Sequence, residues 1–194
     1  MNLVERAKAI IVEPAREWRV IEAEPHTLQE LYTRYVMILA AIPPVSAFIG
    51  YCLVGVGHFG ATFRVPIGTG IAHMIVSYLM SLGAVYLLAL VIDGFAQKFD
   101  APKDFNAAFK LAAFTPTPAW IAGILNVVPS LWIIGVLLGL YSLYLLFVGL
   151  PILMRPPAEK TLPYLVVVMI AAIVFPVVLR AVADLALPAP VRGF

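Results

Sequence analysis

Side chains able to do chemistry are few in this chain and stand far apart. His26, His58 and His73 lie on different segments without the spacing of a metal site, and no CxxC, HExxH or glycine-rich phosphate loop is present. No catalytic set, metal centre or cofactor site is legible, so the expectation is a non-enzymatic protein with no cofactor. Three features remain. His73 is the one Asp, Glu, Lys, Arg or His residue in the 28 residues from Val65 to Ile92. A titratable group inside an apolar run marks a functional site when the run crosses a membrane, while the plainer reading is a hydrogen bond to a neighbouring helix. Asp93 and Lys110 close two apolar runs and could face each other across a loop, as a proton relay or, more ordinarily, as an interfacial anchor pair. Thr115-Pro116-Thr117-Pro118, followed by Trp120, cannot sit in a regular helix. Each proline lacks an amide donor and leaves a carbonyl about four residues earlier without its usual partner. Thr115 and Thr117 are placed to help cover those carbonyls. Such a break either shapes packing or lines a pathway, as in transporters with interrupted helices.

The elements that carry these residues are membrane helices. Leu111 to Met154 is a run of 44 residues without Asp, Glu, Lys, Arg or His. As continuous helix it would measure roughly 66 Å at ~1.5 Å per residue, about twice a bilayer's hydrocarbon core. Asn126-Val-Val-Pro129-Ser130 interrupts it, which gives two crossings joined by a tight turn. A soluble helix of this kind would expose apolar surface on every side. Composition agrees: 62% of the residues are hydrophobic and 12% charged, far from the soluble norm. A net charge of +2 gives no reason to expect a nucleic-acid partner. Cys52 is the only cysteine, so no intrachain disulfide forms, and no cleavable signal peptide is expected.

Read in order, residues 1–34 form short amphipathic helices at the cytoplasmic interface. Leu3, Val4, Ala7, Ile10 and Ile11 share one face, and Pro14 opens a second helix with Trp18 and Ile21 together. These helices lie either in the headgroup region or on the loops of their own protein. Thr27-Leu-Gln-Glu30 has the spacing of a capping box and starts the helix that carries Leu31 and Tyr32 into the first crossing. Five crossings are expected in a domain over residues 35–187, at about 35–57, 68–92, 109–126, 130–153 and 161–181, before a tail of residues 188–194. Pro43-Pro44 must kink or interrupt the first, Pro151 and Arg155-Pro-Pro157 end the fourth, and Arg180 and Asp184 can pair beyond the fifth. Ser77 with Ser81, Ala119 with Gly123, and Gly135 with Gly139 are small-residue pairs four apart, the spacing that lets helices approach closely. With the N-terminus inside, ten Lys and Arg fall on inner segments and three on outer ones. The fold class is therefore all-α, a polytopic bundle of five transmembrane helices with its N-terminus cytoplasmic and its C-terminus opposite.

The order of several motifs resembles the bacterial branch of the Yip membrane-protein family. They are Pro14-Ala-Arg-Glu-Trp18 with Ile21 and Glu24, Tyr35 with Leu39-Ala-Ala-Ile-Pro43, and Ile92-Asp93. Leu111-Ala-Ala-Phe with Pro118-Ala-Trp120, Gly139-Leu-Tyr-Ser-Leu-Tyr-Leu-Leu146 and Gly149-Leu-Pro-Ile-Leu-Met154 follow. Glu30-Leu31-Tyr32 is similar to the first half of the Asp-Leu-Tyr-Gly-Pro element of eukaryotic members, from which Thr33 and Arg34 depart. The resemblance implies a membrane protein of the kind that binds Rab-type GTPases in eukaryotic vesicle traffic. Two functions are thus expected as alternatives. One is a scaffold in the bacterial inner membrane that organises lipid or recruits a protein partner through its N-terminal region, with a homo-oligomer left open. The other is a small transporter or channel with its pathway at the Pro-broken third crossing.

Overall fold

A computed structural model of the chain describes residues 2–58, 61–128 and 131–186. Two short helices come first, α1 (Leu3–Val12) and α2 (Pro14–Ala23). Asn2 caps α1 by accepting from the Val4 amide at 3.2 Å, and Pro14 opens α2, where its missing donor costs nothing. Helix α3 (Leu28–Val54) begins at Thr27, whose hydroxyl accepts from the Glu30 amide at 3.2 Å. Pro43-Pro44 interrupts it without ending it. The chain makes a turn at Ala41, both prolines then sit in the first turn of the renewed helix, and wide π-turns lie before and after, over Tyr32–Val36 and Ile49–Val54.

Beyond α3 the connection to the next helix contains a two-stranded hairpin. Strands β1 (Val56–His58) and β2 (Ala61–Phe63) pair antiparallel, with Gly55 at φ 88° making the sharp exit from the helix. Helix α4 (Ile67–Ala96) returns across the bundle and tightens into a last turn ending at Phe99, where Asp100 adopts a left-handed conformation. Asp104 caps α5 (Phe105–Phe114) by accepting from the amides of Asn106 and Ala107 at 2.9 and 3.1 Å. A break at Thr115-Pro116 follows, then α6 (Thr117–Ala122) and a tight turn over Gly123–Val127. Helix α7 (Trp132–Leu153) passes through Pro151 rather than stopping there. Its end lies at Met154 and Arg155, where φ turns positive and Pro156-Pro157 cannot continue a helix. Helix α8 (Ala158–Ala186) likewise contains Pro163 and Pro176 and outruns the expected end.

Among the described residues, four helices are long and apolar enough to cross a membrane: Leu28–Val54, Ile67–Phe99, Ile133–Leu153 and Ala158–Leu179. The segment read as the third crossing is not among them, because its break leaves two short helices. Only 22% of the apolar window of α7 and 17% of that of α8 is buried within the chain, so most of their side chains meet the hydrocarbon of the bilayer. Packing centres on α5. Leu111, Ala112, Ala113 and Phe114 are fully buried, and α4 and α7 lie against the helix that carries them. The turn expected at Asn126–Ser130 is described only through Val128, and Pro129 and Ser130 lie outside the described residues. So do the tail and the Arg180 and Asp184 side chains, and with them their expected pairing.

Candidate functional site

The bundle has two unlike ends, and the residues singled out in the sequence divide between them. At the end bearing α1 and α2, these helices are clamped to the bundle by charge. Arg6 is buried and donates to Glu17 through Nη1 and to Glu24 through Nη2. His26 Nε2 lies 2.7 Å from the same Glu24 oxygen. Burial opposes the charge on Arg6, but its bonds to Glu24 and Glu17 outweigh this and hold its pKa above the ordinary value. Burial likewise raises the Glu24 carboxyl, and the bonds from Arg6 and His26 more than reverse it, so its pKa falls below the usual range.

Lys110 does not pair with Asp93. Its buried Nζ donates to the backbone carbonyls of Ile21, Glu22 and Glu24 at 2.9, 3.3 and 2.7 Å, which places a cation on the unsatisfied C-terminal end of α2. Asp93 is buried with no partner for Oδ1 among the described residues. Arg155 donates to Glu22, and the Tyr141 hydroxyl to the Ile11 carbonyl at 2.8 Å.

Trp18 forms the apolar centre of this end. It is fully buried, edge-on to Phe114 with ring centroids 6.3 Å apart, and rests where α7 has no side chain. A Cβ added at Gly149 would stand 2.5 Å from the indole and 2.8 Å from Leu111. Nearby, Leu31 is buried and Tyr32 stacks obliquely on Phe109 at 5.9 Å, while Glu30 is exposed and paired with Arg34 at 3.2 Å.

The broken helix separates this packed end from a very different one. Pro118 lacks the amide that would reach the Phe114 carbonyl, and the Thr117 hydroxyl donates to it instead at 2.7 Å. Thr117 in turn bonds the buried Tyr35 hydroxyl at 2.8 Å. Thr115 behaves otherwise: it is buried, and its hydroxyl has no partner among the described residues. It lies on the wall of a cavity of about 830 Å³ at the hairpin end.

Pro116, Ala119 and Trp120 share that wall, which α4 supplies with His73, Ser77 and Ser81, and α7 with Gly139 and Ser142. Ser81 turns back on the Tyr78 carbonyl at 2.9 Å. His73 Nε2 and Ser142 Oγ are buried and, like Thr115 Oγ1, have no hydrogen-bond partner among the described residues. The small-residue pairs divide as well. Gly123 meets Pro43 so closely that a Cβ would come within 2.6 Å of its ring, whereas Gly135 and Gly139 have nothing within 4 Å among the described residues. Sequence reasoning missed Arg6, Glu17, Trp18 with Gly149, and Ser142 as members of these sites, although all of them but Arg6 stand in motifs that carried the family resemblance.

A helical membrane bundle with this motif order defines a class of polytopic membrane protein, and comparison with known proteins identifies it. The model of the Yip1 domain family matches residues 8–179, so the chain belongs to that family. It is similar to the inner membrane protein YohC of Escherichia coli strain K12 and of E. coli O6:H1 strain CFT073. Each is 29% identical over 156 residues, which cover 78% of this chain and 80% of the relative. No solved structure matches the chain.

Proposed function

We propose that the protein is a non-enzymatic scaffold of the bacterial inner membrane, which organises lipid or recruits a protein partner through α1 and α2. In this reading the chain crosses five times, through α3, α4, the α5–α6 segment, α7 and α8. The N-terminus faces the cytoplasm and the C-terminus the opposite side, following the distribution of Lys and Arg. The observation that carries the reading is the clamp at the N-terminal end. Arg6, Lys110 and Trp18 fix α1 and α2 as a rigid platform on the bundle, closing that end with packed side chains. The platform's outer surface presents Val4 and Val12, exposed at 70% and 65%, beside the exposed Arg16, a surface suited to the interface and to a partner. A second reading, a small transporter, draws support from the cavity beneath Thr115 and Pro116.

Photo-crosslinking in cells tests the scaffold. A photoreactive residue at Val12 or Arg16 should give a discrete protein adduct, and one at the lipid-facing Ile134 should not. Adducts with lipid alone from both platform positions would remove the recruiting role. Orientation is read with single thiols in a Cys52→Ala background. Lys103→Cys and Glu159→Cys should react only from the cytoplasm and Arg192→Cys only from the other side. Labelling of position 192 from the cytoplasm would overturn the five crossings.

A further inference from the structure

We propose that the cavity at the hairpin end is a binding site for a neutral lipid-like amphiphile, a long-chain molecule with an uncharged hydroxyl or carbonyl head. The site stands apart from the scaffold reading, since it lies at the other end of the bundle from α1 and α2 and can fail without it.

Three observations converge. The first is size: about 830 Å³ falls within the range of sites that enclose small organic ligands, roughly 300–1,000 Å³. The second is the wall. Phe48, Met74, Met80, Leu88, Val136 and Leu140 make most of it apolar, and its methionines adapt to a chain of varied shape. Among the described residues no Asp, Glu, Lys or Arg lines the cavity, so a phosphate, carboxylate or ammonium head would be desolvated with none of them to meet its charge. The third is the set of polar atoms without partners. Buried hydroxyls and imidazole nitrogens are nearly always hydrogen-bonded, and each exception calls for an explanation.

Here three exceptions, His73 Nε2, Thr115 Oγ1 and Ser142 Oγ, belong to three helices or helix ends and line one cavity. Thr115 and Ser142 are 3% and 8% exposed, so bulk water does not satisfy them. Hydroxyls donate and accept, and a neutral imidazole does one or the other at each nitrogen, so the set suits an alcohol or an ester carbonyl. The Thr-Pro-Thr-Pro break is what makes this possible. Thr117 closes the break on the packed side, which leaves Thr115 turned to the cavity. A pure hydrocarbon would fill the space and leave the three groups unpaired. A small polar solute such as glycerol would satisfy them and leave the apolar wall uncovered.

The test uses the full chain in phosphatidylcholine nanodiscs with hexadecanol carrying a diazirine in its chain. Photo-adducts, assigned to single residues by fragmentation mass spectrometry, should concentrate on Met74 and Met80, not on the lipid-facing Ile75 and Leu79. Unlabelled hexadecanol should compete at least about ten-fold better than hexadecane or hexadecanesulfonate, because a buried site built for a hydroxyl rejects analogues that lack it or carry charge. Glycerol should not compete. Thr115→Val and Ser142→Ala, singly and together, should weaken labelling in protein whose melting is unchanged. Adducts spread evenly over lipid-facing positions would overturn the site. Equal competition by hexadecane, or stronger competition by the sulfonate or glycerol, would overturn the ligand class. These competition arms need only the wild-type chain and do not depend on any variant folding.

Discussion

The two ends of this bundle put similar raw material to opposite uses. At the N-terminal end, both buried cations are in partnership, with Arg6 between two carboxylates and Lys110 on a helix terminus, and Trp18 fills the space that Gly149 leaves. At the hairpin end, small and flexible side chains enclose open volume, and three polar atoms reach the wall without partners among the described residues. The lesson concerns glycine and proline. Gly149 and Gly123 are small because another side chain occupies their place, whereas Gly135 and Gly139 have no described residue near them. Pro118 is compensated by a hydroxyl and Pro116 stands at a cavity.

Substitutions should reproduce this asymmetry, beginning with the indole. Trp18→Ala empties a fully buried site and should destabilise the protein by about 4 kcal/mol. Denaturation in mixed micelles, followed by circular dichroism, reads the loss. A loss under about 1 kcal/mol would mean that the N-terminal helices are not part of the core.

Arg6→Met comes next. It leaves Glu17 and Glu24 without their buried cation and should cost about 3 kcal/mol, near the lower end for a broken buried pair because Glu24 is 35% exposed. The same network sets an acid limit. The Glu24 pKa is lowered by folding, so its contribution is complete above the unfolded carboxyl value of about 4.3 and fades as pH falls through the lower folded value. Protease cleavage between α2 and α3 should therefore rise below about pH 4 in the wild type. In Arg6→Met it should already be high at neutral pH. Cleavage in the wild type that rises on alkalinisation instead would contradict the assignment.

Gly135→Ala and Gly139→Ala form the opposite pole. Nothing stands within 4 Å of the added methyl, and alanine favours helix over glycine by up to about 1 kcal/mol, so both should leave stability unchanged or slightly raised. A marked loss in either would show a close contact with a second copy.

Much of the fold was legible in the sequence because membrane helices announce themselves as charge-free runs, and the Thr-Pro-Thr-Pro break because proline's missing donor is a local fact. The interruption at Pro43-Pro44 was legible as well, and a turn stands at Ala41 just before it, but the π-turns over Tyr32–Val36 and Ile49–Val54 have no signature in the sequence. Nor was the partner of Lys110 legible: it bonds backbone carbonyls, which have no sequence signature, from 86 to 89 positions away. Trp18 and Gly149 each looked ordinary until packing brought them together. His73, Thr115 and Ser142 share one cavity only because of how helices far apart in sequence are arranged. No periodicity in the chain encodes a volume between helices.

The central claim is that the packed end seals the bundle, so that the cavity holds a ligand and conducts nothing. Flux from reconstituted liposomes tests it most directly. Vesicles containing the wild-type chain should retain ions and small polar solutes as well as empty vesicles do. Reproducible release, abolished by Pro116→Ala with Pro118→Ala in protein that still folds, would contradict the claim and make the broken helix part of a pathway.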